Sequence, residues 1–201
     1  MKRVLLLTLF AVLMGGAARG QEKIAVTLAQ GSRAEAQTRG QLERLLKTYD
    51  LSKWIFTRAV VIDEKTAIPH SHPRLTLNTR HLLDDELLLS TLVHEQAHWF
   101  LDSREKEVAE AVKELRVLFP KVPVGHPEGA RDERSNYTHL VVIYLEYRAL
   151  RELLGELRAR QVMEFWAHDH YTWLYKTMLE RPRDIGNVAF KHSLVPLART
   201  Q

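Results

Sequence analysis

The stretch Leu87-Leu88-Leu89-Ser90-Thr91-Leu92-Val93-His94-Glu95-Gln96-Ala97-His98-Trp99-Phe100-Leu101-Asp102 decides how this chain is read. It is apolar over most of a helical circumference. Ser90, Thr91, His94, Glu95, His98 and Asp102 nevertheless recur on one stripe at helical spacing. A surface helix would be polar over a far wider face. A narrow titratable stripe therefore implies a largely buried helix, started by Asp84 and Asp85 and running to Leu101. Buried ionisable groups need partners, and one metal ion satisfies two imidazoles at once.

The five residues His94-Glu95-Gln96-Ala97-His98 form an HExxH pattern. Histidines at i and i+4 point the same way, one turn apart. Both can reach one Zn²⁺ at about 2.0–2.1 Å. Glu95 sits at the edge of that face, where it can take a proton from a metal-bound water and pass it to a leaving amine. With 10 histidines in 201 residues, chance alone produces the pattern in roughly one such chain in 25. The apolar context of the stripe is therefore as important as the letters.

Outward from this helix the chain divides into a small sheet and a helical half. Ile24 to Leu28 and Trp54 to Ile62 read as strands, separated by an amphipathic helix from Ser32 to Tyr49. Ile68-Pro69-His70-Ser71-His72-Pro73 reads as a loop, and Arg74 to Asn78 as an edge strand. After the HExxH helix, helices are expected over 105–119, 137–154 and 156–179, with a short one after Asp184 and a Pro/Gly-rich loop over 121–136. The expected class is α+β, with a single domain over 21–201.

The motif resembles that of the zincin metallopeptidases. The resemblance implies a zincin-like fold: a small mixed sheet, an active-site helix and a helical lobe, with the edge strand pairing an extended peptide substrate. It also implies Zn²⁺ as cofactor and Glu95 as general base. The metzincin branch, HExxHxxGxxH, is excluded by Leu101 and Arg104. The gluzincin branch takes a glutamate from a later helix, and Glu146 is the candidate. It is a lone carboxylate in the apolar run His139 to Tyr147, where it needs a cation or a salt bridge to Arg148 or Arg151. The chain departs from the thermolysin-like pattern at Leu150, where that group has a supporting aspartate. Asp102, one turn beyond His98, is a candidate to support a ligand instead.

His139 competes with Glu146. Seven residues apart on one helix face, they are separated by about 10.5 Å, so both cannot easily bind one ion. If Glu146 ligates, His139 lines the cleft and donates to the oxyanion. If His139 ligates, Glu146 stands behind the ligands. The first arrangement is preferred, giving His94, His98 and Glu146 as metal ligands and Glu95, His139 and His170 as catalytic candidates. Tyr137 and the cluster His168-Asp169-His170-Tyr171 supply further donor candidates. His70, His72, His81 and His126 read as incidental, although His70 and His72 could rim the cleft.

The rest of the chain sets the setting. Met1-Lys2-Arg3, the apolar run Val4 to Met14 and the small residues up to Gly20 read as a signal peptide over 1–20, cleaved before Gln21. Export to the periplasm or the extracellular space is expected, with no stable membrane span after cleavage. There is no cysteine, so disulfides are excluded and stability rests on packing or a metal. The formal net charge of +4 is too diffuse to indicate nucleic acid. The expected partner is a peptide or protein substrate. Two rival functions share the motif: a zinc amidase acting on a non-peptide or cell-wall bond, and a non-catalytic exported zinc-binding module.

Overall fold

A computed structural model describes residues 23–197; the expected signal peptide and its cleavage point lie outside the described residues. The elements run β1 (Ala25–Leu28), α1 (Arg33–Thr48), a 3-10 turn (Ser52–Trp54), β2 (Ala59–Ile62), β3 (Leu75–Leu77), α2 (Asp85–Asp102), α3 (Glu105–Leu118), α4 (Glu133–Leu154), α5 (Glu156–Trp166), α6 (Thr172–Glu180) and α7 (Pro182–Lys191). The class is α+β, with seven helices and one small sheet among the described residues.

The strands lie in the order β1-β2-β3 and are parallel throughout. This corrects the expected mixed sheet. No hairpin joins them: α1 carries the chain from β1 to β2, and the crossing over 63–74 carries it from β2 to β3. Buried Glu35 pins the first crossover. Its carboxylate accepts from the backbone N–H groups of Gln30, Gly31 and Glu64 at 2.8–3.0 Å. Burial opposes its charge, but these backbone donors outweigh burial and hold its pKa below the usual carboxylate range.

β3 lies at the sheet edge, where part of its free side is already engaged. Thr76, its outward-facing residue, exchanges backbone hydrogen bonds with His70 at 2.8 and 3.0 Å. The strand expected over 54–62 shortens to Ala59–Ile62, because the preceding residues turn to meet α2. The Gln96 side chain accepts from Phe56 N at 2.7 Å and Thr57 N at 2.8 Å, and donates to Thr57 O. Gln96 thus fastens α2 to the sheet side.

Thirteen of the 18 residues of α2 are buried, as its apolar circumference requires. Asp84 caps it by accepting from Glu86 N and Leu87 N, both at 3.0 Å. The central helix is α4, packed against α2, α3, α5, α6 and α7. It starts at Glu133, four residues before the expected Tyr137, because Asp132 caps it by accepting from Ser135 N at 2.7 Å. The helix expected over 156–179 is broken into α5 and α6 by a turn over 167–171. Tyr171 takes a left-handed φ of 50° there. Pro182 opens α7 at its first turn, where a missing N–H costs nothing. No helix among the described residues is long and apolar enough to cross a membrane.

Candidate metal centre

α2 and α4 pack side by side in opposite directions: Ser90 meets Glu146, and His98 meets His139. This brings His94, His98 and His139 together, with a donor atom from each within 4.8 Å of the others. Their ring centroids are 4.9 to 5.8 Å apart. The three side chains could hold a metal ion.

The outer nitrogens of two of these rings are already engaged. His94 Nδ1–H donates to Glu146 Oε2 at 2.9 Å. His139 Nδ1–H donates to the Ser135 carbonyl at 2.7 Å, one turn back on α4. In each ring this leaves Nε2 with a free lone pair, the tautomer a metal requires. Burial lowers the pKa of His98 well below the ordinary histidine value, with repulsion from His94 and His139 adding to it. Burial and then His94 lower His139 to about 3. Burial also works against a charged His94, but the hydrogen bond and charge of Glu146 outweigh it and raise its pKa.

Glu146, the expected third ligand, lines the same cleft but is not one of the three clustered side chains. It lies two helical turns from His139, past the histidine cluster and level with Ser90. Its carboxylate is only 1% exposed, and its oxygens are occupied. Oε1 accepts from the Ser90 hydroxyl. Oε2 accepts from His94 and from the Tyr175 hydroxyl, the latter at 3.0 Å. Ser90 in turn accepts from Trp166 Nε1–H at 2.9 Å. His139 thus lies in the cluster, and Glu146 is hydrogen-bonded to its His94.

Glu95 is buried and lines the same cleft as the three histidines. Burial raises its pKa to about 7, against the opposing pull of His94. The cleft has a volume of about 950 Å³. One wall is the 67–72 segment, and the other runs from Gly125 to Thr138. Buried Asn136 fixes that second wall: it accepts from Ala130 N at 2.7 Å and donates to Pro123 O at 2.6 Å.

Asp102 supports no histidine of the cluster; its Oδ2 takes His72 Nε2–H at 2.8 Å at the end of α2. His72 lines the cleft, stacked on Trp99 with ring centroids 4.3 Å apart. His70, His81 and His126 also line it. His170 lines the cleft too, and its neighbour Asp169 is its partner: His170 Nδ1–H donates to Asp169 Oδ2 at 2.8 Å. On a continuous helix the two side chains would diverge; the 167–171 turn brings them together. Tyr137 faces away, donating its hydroxyl to Phe119 O at 2.7 Å.

Sequence reasoning missed Tyr175, Trp166 and Ser90 as the groups that complete the Glu146 network. Ser90 carried a signal, since it lies on the polar stripe one turn before His94. Tyr175 and Trp166 carried none, because their roles depend on where the α5–α6 break points them. Comparison with family models, with curated proteins and with solved structures yields no match.

Proposed function

We propose that this chain is a zinc-dependent peptidase of the zincin type, with His94, His98 and His139 as the protein ligands and Glu95 as the general base. The observation that carries the proposal is the cluster of three imidazoles, with a donor atom of each within 4.8 Å of the others, beside a buried carboxylate that lines the same cleft.

The donor set suits zinc. Three imidazoles with two Nδ1 positions held, and no cysteine in the chain, match a catalytic site with an open fourth position better than a closed structural one. Bound there, zinc supplies Lewis acidity that polarises a carbonyl and makes water acidic at neutral pH. Glu95 takes a proton from the attacking water and delivers it to the leaving nitrogen. Glu146 holds His94 in one tautomer and makes it a better donor, while Ser90 and Tyr175 hold Glu146. His170 and Tyr171 line the cleft beside the cluster, the Tyr171 ring 4.8 Å from that of His139. They are the candidates to donate to the developing oxyanion. The cleft is large enough for several residues of an extended peptide. The basic start and apolar run of Met1 to Gly20 support export as the setting.

The test is Glu95→Gln. This variant is expected to retain one zinc per chain while peptide hydrolysis falls at least about 100-fold. Full activity in the variant would remove Glu95 as base. Wild-type protein that takes up no zinc would remove the proposal. Zinc-loaded protein that cleaves cell-wall amides but no peptide would replace it with the amidase reading.

A further inference from the structure

His170 is held by a chain of contacts that begins far away in sequence. Arg80 lies on the link between β3 and α2, and Asp169 on the turn between α5 and α6. The Arg80 guanidinium grips the Asp169 carboxylate with both arms: Nη1 donates to Oδ2 at 3.0 Å, and Nη2 donates to Oδ1. The same Oδ2 accepts from His170 Nδ1–H at 2.8 Å. The imidazole is wedged edge-on against Trp166 at 5.0 Å and packs on Tyr171 at 5.0 Å and Tyr175 at 5.9 Å. Arg80, Asp169 and His170 all line the cleft that holds the histidine cluster.

We infer that Arg80 and Asp169 are positioning residues that fix the His170 imidazole so that its Nε2 is the nitrogen offered to the substrate. The catalytic consequence rests on the peptidase reading above; the geometric claim does not. A two-armed guanidinium–carboxylate contact sets the plane of the carboxylate. That plane sets the direction of the third bond, to His170. Arg80 is half exposed, so stability alone, which is small for such pairs, does not account for the two-armed geometry. What the contact gains is direction. The turn backbone is tied down by Asp169 N–H and His170 N–H, which both donate to Trp166 O, but the Asp169 carboxylate takes its direction from Arg80 and His170. Arg80, placed just ahead of the HExxH helix, registers the α5–α6 turn against the helix that carries the ligands.

The test uses the full mature protein, metal-free and zinc-loaded, as Arg80→Met and Arg80→Lys. The first readout is the side-chain nitrogen spectrum of His170, assigned by its loss in His170→Gln. Wild type is expected to show a single Nδ1–H form, Arg80→Met a mixture, and Arg80→Lys a partial return. The second readout is steady-state peptide hydrolysis. In Arg80→Met, kcat is expected to fall roughly 10- to 100-fold with KM within about twofold and zinc content unchanged; Arg80→Lys should recover part of the loss. An unchanged His170 spectrum in Arg80→Met overturns the inference, whatever happens to thermal stability. A changed spectrum with unchanged kcat overturns its catalytic half. If wild type hydrolyses no peptide, the peptidase reading fails, and the spectrum alone still decides whether Arg80 positions His170.

Discussion

His94 has one nitrogen committed to Glu146 and the other left for a ligand, so the two residues should respond differently to substitution. Glu146→Gln keeps the side-chain volume but replaces a charged acceptor of three hydrogen bonds with a neutral amide. Zinc affinity is expected to fall about 10- to 100-fold, with zinc still bound at saturating concentration. His139→Ala removes a donor of the cluster itself, and its loss of affinity should exceed that of Glu146→Gln by at least another tenfold. Competition against a chelating dye measures both. Were Glu146→Gln the more damaging of the two, Glu146 would be a ligand and His139 would not. The pairing of His94 with His98 was legible because i, i+4 geometry is local. The choice between His139 and Glu146 was not. Both lie on the same face of α4, and which one meets the cluster depends on the sliding register of α4 along α2. That register is set by apolar contacts spread over both helices.

At the scale of elements, α2 was readable because one helix carries its own evidence: an acidic cap, an apolar circumference and a polar stripe. The break between α5 and α6 was not readable. Ala167 to Tyr171 contains neither glycine nor proline, and the left-handed residue is a tyrosine, so tertiary packing overrides local preference there. The early start of α4 was legible in principle, since Asp132 with Ser135 three residues on is a capping pair. The parallel sheet escaped because strand direction follows from what connects the strands, and the 63–74 crossing has no helical pattern to announce it. Gln96 makes the link between α2 and the sheet side testable. Gln96→Ala leaves Phe56 N and Thr57 N without their acceptor, at a cost of about 2 kcal/mol. A domain of this size should then melt roughly 4–8 °C lower. Zinc content measured in the same samples should be unchanged, because Gln96 points away from the cluster.

At the scale of the whole molecule, the cleft is a seam between the sheet side with α2 and the later helices. The Arg80–Asp169 pair ties that seam at one end, and acid should loosen it. The Arg80 contact holds the Asp169 carboxyl down at about 2, against the opposing effect of burial. A lowered carboxylate contributes stability above its unfolded pKa of about 3.9 and loses it as pH falls through its folded value. With Arg80 half exposed, the contribution is discounted for solvent to the order of 1 kcal/mol. Metal-free wild type should therefore melt a few degrees above metal-free Asp169→Asn at pH 6. The gap should close between about pH 4 and pH 2. A gap that persists unchanged at pH 2 would mean that the ion pair is not what holds the turn.

Whether three histidines from two antiparallel helices bind one metal ion is decided by zinc-edge anomalous diffraction from crystals of zinc-loaded protein. A single strong peak is expected about 2.0–2.1 Å from one ring nitrogen each of His94, His98 and His139, with Glu146 still bonded to His94 Nδ1. A peak coordinated by Glu146 in place of His139, or no peak among these residues, would contradict it.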